Sequence, residues 1–457
     1  MDILHLNTCI KKKEISPVDV VKETLEKIYE KNPQTNAFIT ISEKEALESA
    51  KVLEKEMIEG KVRGPLHGIP IAVKDLIYTK GIKTTMGSKI YEHFIPSVDA
   101  TVVEKLKQAG AIIIGKANTH EFAYGPIGDR SYFGACRNPY NLEKISGGSS
   151  SGSAAAVAAN MVLASIGTDT GGSIRIPASA CGVVGMKPTF GLVSKAGAFD
   201  LAYTLDHIGP ITTNIKENAL LLNIIAGFDP KDSYSIKDSQ NTDYSRLIGK
   251  SVKGKTIGIA MNSYFTNLNK EVKDAFDKCV TIFKHLQANI TEVVVPNIEE
   301  IADAQAVTIK AEASAVHADS LQSYQGNVDD EVYERLVASK EVKGYEYVQA
   351  QMNRNKLISN LNQLFNDVDI LIVPTLPILP TDIGQREVTI NHTSVSTQHA
   401  LLKLTSPFNY TGNAALSIPI GMSKSGLPIG IQLIGKHGDE EKLYQFGYAL
   451  ESELGAS

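Results

Sequence analysis

The chain has 457 residues, 43% of them hydrophobic, and a formal net charge of −5. This is enough apolar material for a large buried core. The lack of a basic surplus argues against direct binding of nucleic acid, and four scattered cysteines without a C-x-x-C pair argue against a zinc site or a disulfide framework.

The amino-terminus shows no basic segment followed by an apolar one, so no signal peptide is expected. The most apolar long stretch, 154–166, is Ala-rich and shorter than the ~20 residues of a membrane-spanning helix. The sequence therefore predicts a cytoplasmic protein that does not enter a membrane.

Two amphipathic helices are predicted before residue 61. The first begins after the N-cap Ser16, with Pro17 at its first position, and ends near Asn32. The second begins at a capping box formed by Ser42 and Glu45 and continues to residue 60.

Strands and helices alternate over the rest of the chain. Short apolar runs predict buried strands at 69–73, 111–114, 183–186, 256–260, 291–295, 368–373, 415–420 and 429–434. Helical spacing predicts helices at 100–108, 154–164 and 270–286, a helical subregion at about 298–366, and a last helix from 440. This order predicts an α/β fold with a mixed, mostly parallel central sheet covered by helices on both faces. Without a visible linker, 1–457 is expected to be one domain.

Two segments rich in glycine and serine are the first candidates for chemistry. They are 147–153, GGSSSGS, and 167–177, GTDTGGSIRIP. Glycine has no Cβ, so backbone N–H groups can converge on one point and bind negative charge. A serine in such a nest is a candidate nucleophile, and the amides are a candidate oxyanion hole.

Lys74 directly follows the apolar run 69–73 and is a candidate base. Burial lowers the pKa of a lysine and can leave it neutral near pH 7, and a neutral amine can accept a proton. The alternative is a lysine whose stem packs while its ammonium group reaches solvent.

Other motifs match less well. Residues 148–152 fit the G-x-S-x-G nucleophile elbow, with Asp206 and His207 downstream, but the elbow should follow a strand and the preceding segment has a loop-like composition. Residues 110–117 approach a P-loop but end on Ala117, where a Ser or Thr is required.

Three longer motifs occur in order along the chain: GIPIAVKD at 68–75, GGSSSG at 147–152 and GTDTGGSIRIPA at 167–178. CGVVGMKPT at 181–189 and GLPIGIQLIG at 426–435 extend the pattern. With these motifs the chain resembles the amidase signature family of serine hydrolases, over nearly its whole length and most densely from 64 to 213.

The resemblance implies a role for several residues. Ser173 would be the nucleophile, Ser149 a bridging serine on a cis peptide bond, and Lys74 the base. The oxyanion hole would be formed by the backbone amides of Thr170, Gly171, Gly172 and Ser173. The implied activity is hydrolysis of a linear amide through an acyl-enzyme, releasing ammonia or an amine, without a cofactor or a metal.

Further residues are expected around this triad. Asp169 and Arg175 flank the nucleophile and are predicted to form an internal ion pair, and Ser150 is predicted to hydrogen-bond the relay. Substrate contacts are expected from the segment that approaches the acyl group in similar proteins: Tyr124, Gly125 and Pro126.

The substrate is expected to be a small amide, but several kinds remain open. One alternative is the glutamine-hydrolysing subunit of a tRNA-dependent amidotransferase, which needs a second protein as partner; Arg335 could then bind the α-carboxylate of glutamine. Two departures favour a free-standing amidase: 311–317 lacks the Arg-Tyr-Asp-Gly stretch expected of that subunit, and 400–404 offers no carboxylate for the α-ammonium. Allophanate or carbamate hydrolysis is a further alternative.

Two other classes complete the alternatives. A non-catalytic scaffold is disfavoured because all three catalytic positions are filled. A metal-dependent amidohydrolase is disfavoured because the ten histidines show no H-x-H or H-E-x-x-H spacing, His120 before Glu121 being the nearest hint. Dimers are common among similar proteins, so the resemblance leaves a homodimer open.

Overall fold

The structure is a computed structural model that describes residues 2–237 and 242–455. Its strands are β1 (Phe38–Ile41), β2 (Pro70–Lys74), β3 (Ile112–Ala117), β4 (Arg137–Asn138), β5 (Asn141–Ile145), β6 (Ala164–Asp169), β7 (Val184–Lys187), β8 (His207–Thr212), β9 (Thr256–Ala260), β10 (Asn289–Val293), β11 (Ile370–Pro374), β12 (Glu387–Ile390), β13 (Thr393–Ser396), β14 (Ala415–Met422) and β15 (Pro428–Ile434).

Its α-helices are α1 (Ile3–Lys11), α2 (Pro17–Thr35), α3 (Glu43–Ile58), α4 (Thr101–Gln108), α5 (Ser151–Ala158), α6 (Arg175–Ala180), α7 (Ile215–Ile225), α8 (Ser263–Thr266), α9 (Lys270–His285), α10 (Ile298–His317), α11 (Leu321–Tyr324), α12 (Asp330–Ser339), α13 (Gly344–Gln363), α14 (Thr397–Lys403), α15 (Pro407–Tyr410) and α16 (Glu440–Gly455). Short 3₁₀ turns lie at Lys89–Tyr91, Glu121–Ala123 and Leu364–Asn366.

Within the described residues, eleven strands form one sheet in the order β1-β3-β2-β6-β8-β7-β14-β15-β11-β9-β10. Neighbours run parallel from β3 through β2 to β6 and from β11 through β9 to β10. The other neighbours are antiparallel. The predicted α/β fold with a mixed sheet is confirmed, and its antiparallel share is larger than predicted.

Helices cover both faces of this sheet because side chains alternate along its strands. In β2, Ile71 and Val73 join the apolar core that includes Val103 of α4 and Leu221 of α7. Ala72, between them, joins the core on the opposite face with α2, α3 and α5. The end of β2 is therefore enclosed on both sides.

The amino-terminal helices differ from the prediction in two details. An additional helix, α1, precedes them. The N-cap at Ser16 is present, since its Oγ accepts the backbone N–H of Asp19 at 3.1 Å. The capping box at Ser42 is wrong: the Ser42 hydroxyl instead donates to the carbonyl oxygen of Ile113 at 3.0 Å, because β3 lies beside it.

The helix predicted at 154–164 is wrong at both ends. Helix α5 spans Ser151–Ala158, and Asn160 follows it with φ of 55°, a left-handed conformation typical of helix ends. Ala164 then begins β6, which the sequence pattern did not predict. This strand leads into the segment that carries Ser173.

The region predicted to be helical at about 298–366 contains α10 to α13. The single-domain organisation stays a prediction. No helix in the described part of the chain has both the length and the apolar character needed to cross a membrane.

Candidate active site

The parallel pairing of β2 with β6 brings Lys74 on β2 close to Thr168 on β6. Lys74 ends β2, and its Nζ lies 2.7 Å from Ser149 Oγ and 2.7 Å from Thr168 Oγ1. The Lys74 side chain is fully buried. Burial lowers its pKa to about 7, although the negative charges of Asp169 and Asp206 act in the opposite direction. A substantial share of Lys74 is therefore neutral at neutral pH and able to accept a proton.

Ser149 lies in the turn before α5, and the Gly148–Ser149 peptide bond is cis. The Ser149 carbonyl oxygen accepts the backbone N–H of His120 at 3.2 Å. The next residue, Ser150, donates its backbone N–H to the carbonyl oxygen of Ser173 at 3.1 Å. The structure thus brings the segments of Lys74, Ser149 and Ser173 together.

Thr168 is a site residue that sequence reasoning missed. Its hydroxyl contacts Lys74, and its backbone is held by Ser150. The Ser150 Oγ donates to the Thr168 carbonyl oxygen at 3.0 Å and accepts the Thr168 N–H at 3.1 Å. The available signal was its position directly before Asp169 in the glycine-rich motif.

Asp169 and Arg175 form the expected internal ion pair, with Arg175 Nη2 3.0 Å from Asp169 Oδ1 and both side chains fully buried. Burial alone would raise the pKa of the Asp169 carboxyl, but the charge and hydrogen bonds of Arg175 hold that pKa below its usual range. The guanidinium also donates to the side chains of Asn409 and Gln432 and to the carbonyl oxygen of Thr405. It therefore ties the loop of Ser173 to the carboxy-terminal part of the fold.

The four amides expected to form the oxyanion hole do not share one environment. Gly172 donates its N–H to Asp169 Oδ1 at 2.7 Å. Among the described residues, a cavity of about 160 Å³ is lined by Thr170, Gly171 and Ser173 but not by Gly172. Gly172 has φ of 135°, and a Cβ there would lie 2.2 Å from Thr405 Oγ1. Only glycine fits this turn, which directs the neighbouring residues towards the cavity.

The same cavity contains the expected substrate contacts Tyr124, Gly125 and Pro126. It also contains Arg335. Other wall residues come from α10 and α14 and belong to none of the sequence motifs; they include Gln305, Lys310, Gln398 and Leu402.

Asp206 and His207 do not support the nucleophile-elbow alternative. Asp206 Oδ1 accepts the Thr170 hydroxyl at 2.6 Å, and burial raises the pKa of Asp206 to about 6. His207 Nδ1 lies 2.6 Å from the carbonyl oxygen of Leu205, and its Nε2 lies 3.2 Å from Lys187 Nζ. Both ring nitrogens thus face groups outside 148–152. The described residues contain no group of three or more His, Cys, Asp or Glu side chains placed to hold a metal ion.

Comparison with known proteins identifies the family of this chain. A family model described as Amidase matches residues 19–444. A glutamyl-tRNA(Gln) amidotransferase subunit of Alkaliphilus metalliredigens (strain QYMF) is 40% identical, over 100% of this chain and 96% of the relative.

Solved structures share the fold along the whole chain. One of them belongs to an unexpected vestigial protein complex that reveals the evolutionary origins of an s-triazine catabolic enzyme. That chain is 32% identical to this one, and the two superpose with a TM-score of 0.94 over 99% of this chain and 98% of that chain. Peptide amidase from Stenotrophomonas maltophilia is 28% identical, with a TM-score of 0.88 over 99% of this chain and 97% of that one. Motifs, fold and relatives agree, and the chain belongs to the amidase family.

Proposed function

We propose that this protein hydrolyses a small amide through a relay of Ser173, Ser149 and Lys74. The observation that carries the proposal is the buried Lys74 amine, which lies 2.7 Å from Ser149 Oγ and has a pKa of about 7. A serine hydroxyl is a weak nucleophile until a base removes its proton. Lys74 is a base with the required pKa in the required place.

In the proposed reaction, Ser173 passes its proton to Ser149 as Ser149 passes its own to Lys74. Ser173 Oγ then bonds to the amide carbon, and the carbonyl oxygen becomes an oxyanion that the N–H groups lining the cavity stabilise. The relay runs in reverse to protonate the leaving nitrogen as the C–N bond breaks. Water, deprotonated along the same path, hydrolyses the acyl-enzyme and restores Ser173.

Thr168 is proposed to orient the base. Its Oγ1 accepts one hydrogen of the Lys74 amine at 2.7 Å, which leaves the lone pair of the neutral amine free to face Ser149. Asp206 holds the Thr170 side chain at the edge of the oxyanion site. Both residues position the reacting groups without touching the substrate.

The curated relatives favour the second candidate of the sequence analysis, glutamine hydrolysis in a tRNA-dependent amidotransferase, over a free-standing amidase. The supporting observation is the 40% identity to the Alkaliphilus amidotransferase protein over nearly all of both chains. Under this candidate the chain works with a partner protein that uses the released ammonia.

The test measures ammonia or amine release by the purified chain from glutamine, aliphatic and aromatic amides, allophanate and a carbamate. In parallel, a fluorophosphonate probe reports an activated serine without any natural substrate, and mass spectrometry locates the label. We expect Ser173 to be labelled and at least one amide to turn over, with glutamine preferred under the second candidate. Failure of both labelling and turnover would overturn the proposal.

The pH dependence of kcat/KM should report the Lys74 amine. The pKa of Lys74 is about 7, and only the neutral amine accepts a proton, so activity should fall as pH drops through 7. Below this pKa we expect a decrease of about tenfold per pH unit, and above it a plateau. A profile measured from pH 5.5 to 9 that stays flat between 6 and 8 would contradict Lys74 as the base.

A further inference from the structure

The described wall of the cavity next to Ser173 carries positively charged side chains without negatively charged ones. Its wall includes the cationic side chains Arg335 and Lys310 and the amide side chains Gln305 and Gln398. Among the described residues that line it, none is an Asp or a Glu. At about 160 Å³ the cavity is also smaller than the ~300–1,000 Å³ of sites for drug-sized ligands. It therefore suits a small substrate whose charge is negative.

Arg335 is fixed in this wall. Its side chain is 15% exposed, and its guanidinium lies 5.4 Å from the centre of the Tyr124 ring. It donates to the Tyr124 carbonyl oxygen, to Gln398 Oε1 at 2.5 Å and to Glu331 Oε1 at 3.1 Å. A guanidinium has five N–H donors, so Nε and one Nη1 hydrogen have no partner among the described residues.

The carboxylate that pairs with Arg335 is that of Glu331, which does not line the cavity and is shared with other arginines. Glu331 also accepts Arg386 Nε at 2.8 Å and Arg130 Nε at 3.1 Å. Lys310 is exposed on α10 and has no ion pair within the described part of the chain. An incoming ligand thus meets cationic N–H groups in the cavity wall, whereas the carboxylate that pairs with Arg335 is not part of that wall.

We propose that Arg335, assisted by Lys310, binds a carboxylate on the acyl part of the substrate, and that the substrate is an anionic amide without an ammonium group. A monoamide of a short dicarboxylic acid has this chemistry. The inference rests on the proposed amide hydrolysis, and it selects against the second candidate, glutamine, as the preferred substrate. An arginine binds a carboxylate through charge-assisted, often paired hydrogen bonds. Glutamine would bring an additional α-ammonium against two cations, where the wall offers no carboxylate to compensate its lost hydration.

Three amides of equal chain length separate the effects of charge: glutaramic acid, valeramide and glutamine. The first is anionic, the second neutral and the third zwitterionic. We expect kcat/KM of the full chain for glutaramic acid to exceed both others by about 100-fold, the order of magnitude for one hydrogen-bonded contact to a charged group. In Arg335→Gln the glutaramic acid to valeramide ratio should fall by about 100-fold, and Arg335→Lys should recover part of it.

Two further variants keep this test decisive. Arg246→Gln is the matched control, since Arg246 is an exposed arginine paired with Glu441 outside the cavity, and it should keep the wild-type ratio. If Arg335→Gln does not fold, Lys310→Gln, at an exposed position, should raise KM for glutaramic acid by about three- to tenfold relative to valeramide.

The outcomes separate this inference from the proposed function. Equal or better turnover of valeramide, a preference for glutamine, or an unchanged ratio in both cation variants would overturn the anionic-substrate inference while leaving amide hydrolysis intact. Labelling of Ser173 by the fluorophosphonate without cleavage of any monoamide would overturn it too. Activity that persists in Ser173→Ala would instead overturn the proposed function.

Discussion

Replacing Ser173 by alanine is expected to lower kcat/KM by about 10⁴- to 10⁶-fold, the range for loss of a nucleophile that works within a relay. The Ser173 Oγ would form the bond to the acyl group, and no other atom can replace it. The substitution removes a single oxygen from a nearly buried side chain. The Ser173 carbonyl oxygen, which accepts the Ser150 N–H, is retained, so the fold should survive.

The matched control is Ser153→Ala, which removes a buried serine hydroxyl from the same region. Ser153 Oγ donates to the carbonyl oxygen of Ile166 at 3.1 Å, so its loss should cost about 1 kcal/mol of stability and little activity. Steady-state ammonia release and thermal unfolding are compared for both variants. More than about 1% residual activity in Ser173→Ala would exclude Ser173 as the nucleophile.

Lys74→Met should be nearly as damaging, with a loss of about 10³- to 10⁵-fold, because the members of a catalytic relay act as a unit. Methionine keeps the length and the apolar stem of Lys74 but cannot accept a proton. The double variant Ser173→Ala/Lys74→Met should be no worse than Ser173→Ala alone. Additive losses would show that the two side chains act independently.

Lys116→Met is a matched control for the structural effect of losing a buried lysine. Lys116 lies on β3, in register with Val73 of β2, and is also fully buried. Its amine donates to Thr79 and Thr84 at 3.1 Å, and its charge compensates Asp75. We expect this variant to lose several kcal/mol of stability while the folded fraction still turns over. Equal losses of both stability and turnover in the two variants would indicate that Lys74 is structural.

The sequence points to those parts of the candidate site that lie in contiguous motifs. Each of three short segments of distinctive composition contains one of these residues: Lys74, Ser149 or Ser173. Asp169 and Arg175 belong to a single motif. Thr168 was missed because its contact with Lys74 arises from the pairing of two strands distant in sequence.

Thr168 lies on strand β6, which the sequence pattern does not predict. Its sequence, ASIGTD, directly follows an Ala-rich run that predicts a helix ending at Ala164, and it shows no sustained alternation of apolar and polar residues. Its strand conformation is imposed by hydrogen bonding to β2 and β8 rather than by local preference. Arg335 and Gln398 reach the cavity in the same non-local way, from helices α12 and α14.

The contacts of Arg175 also bear on when activity can arise during protein synthesis. Thr405, Asn409 and Gln432 accept its remaining N–H groups, and all three follow it by more than 200 positions in the chain. Until the ribosome has released residues 405–432, the guanidinium of Arg175 cannot be enclosed, and the loop of Ser173 lacks its support. A nascent chain that has not yet released Gln432, or a chain cleaved before Thr405, should therefore be catalytically silent.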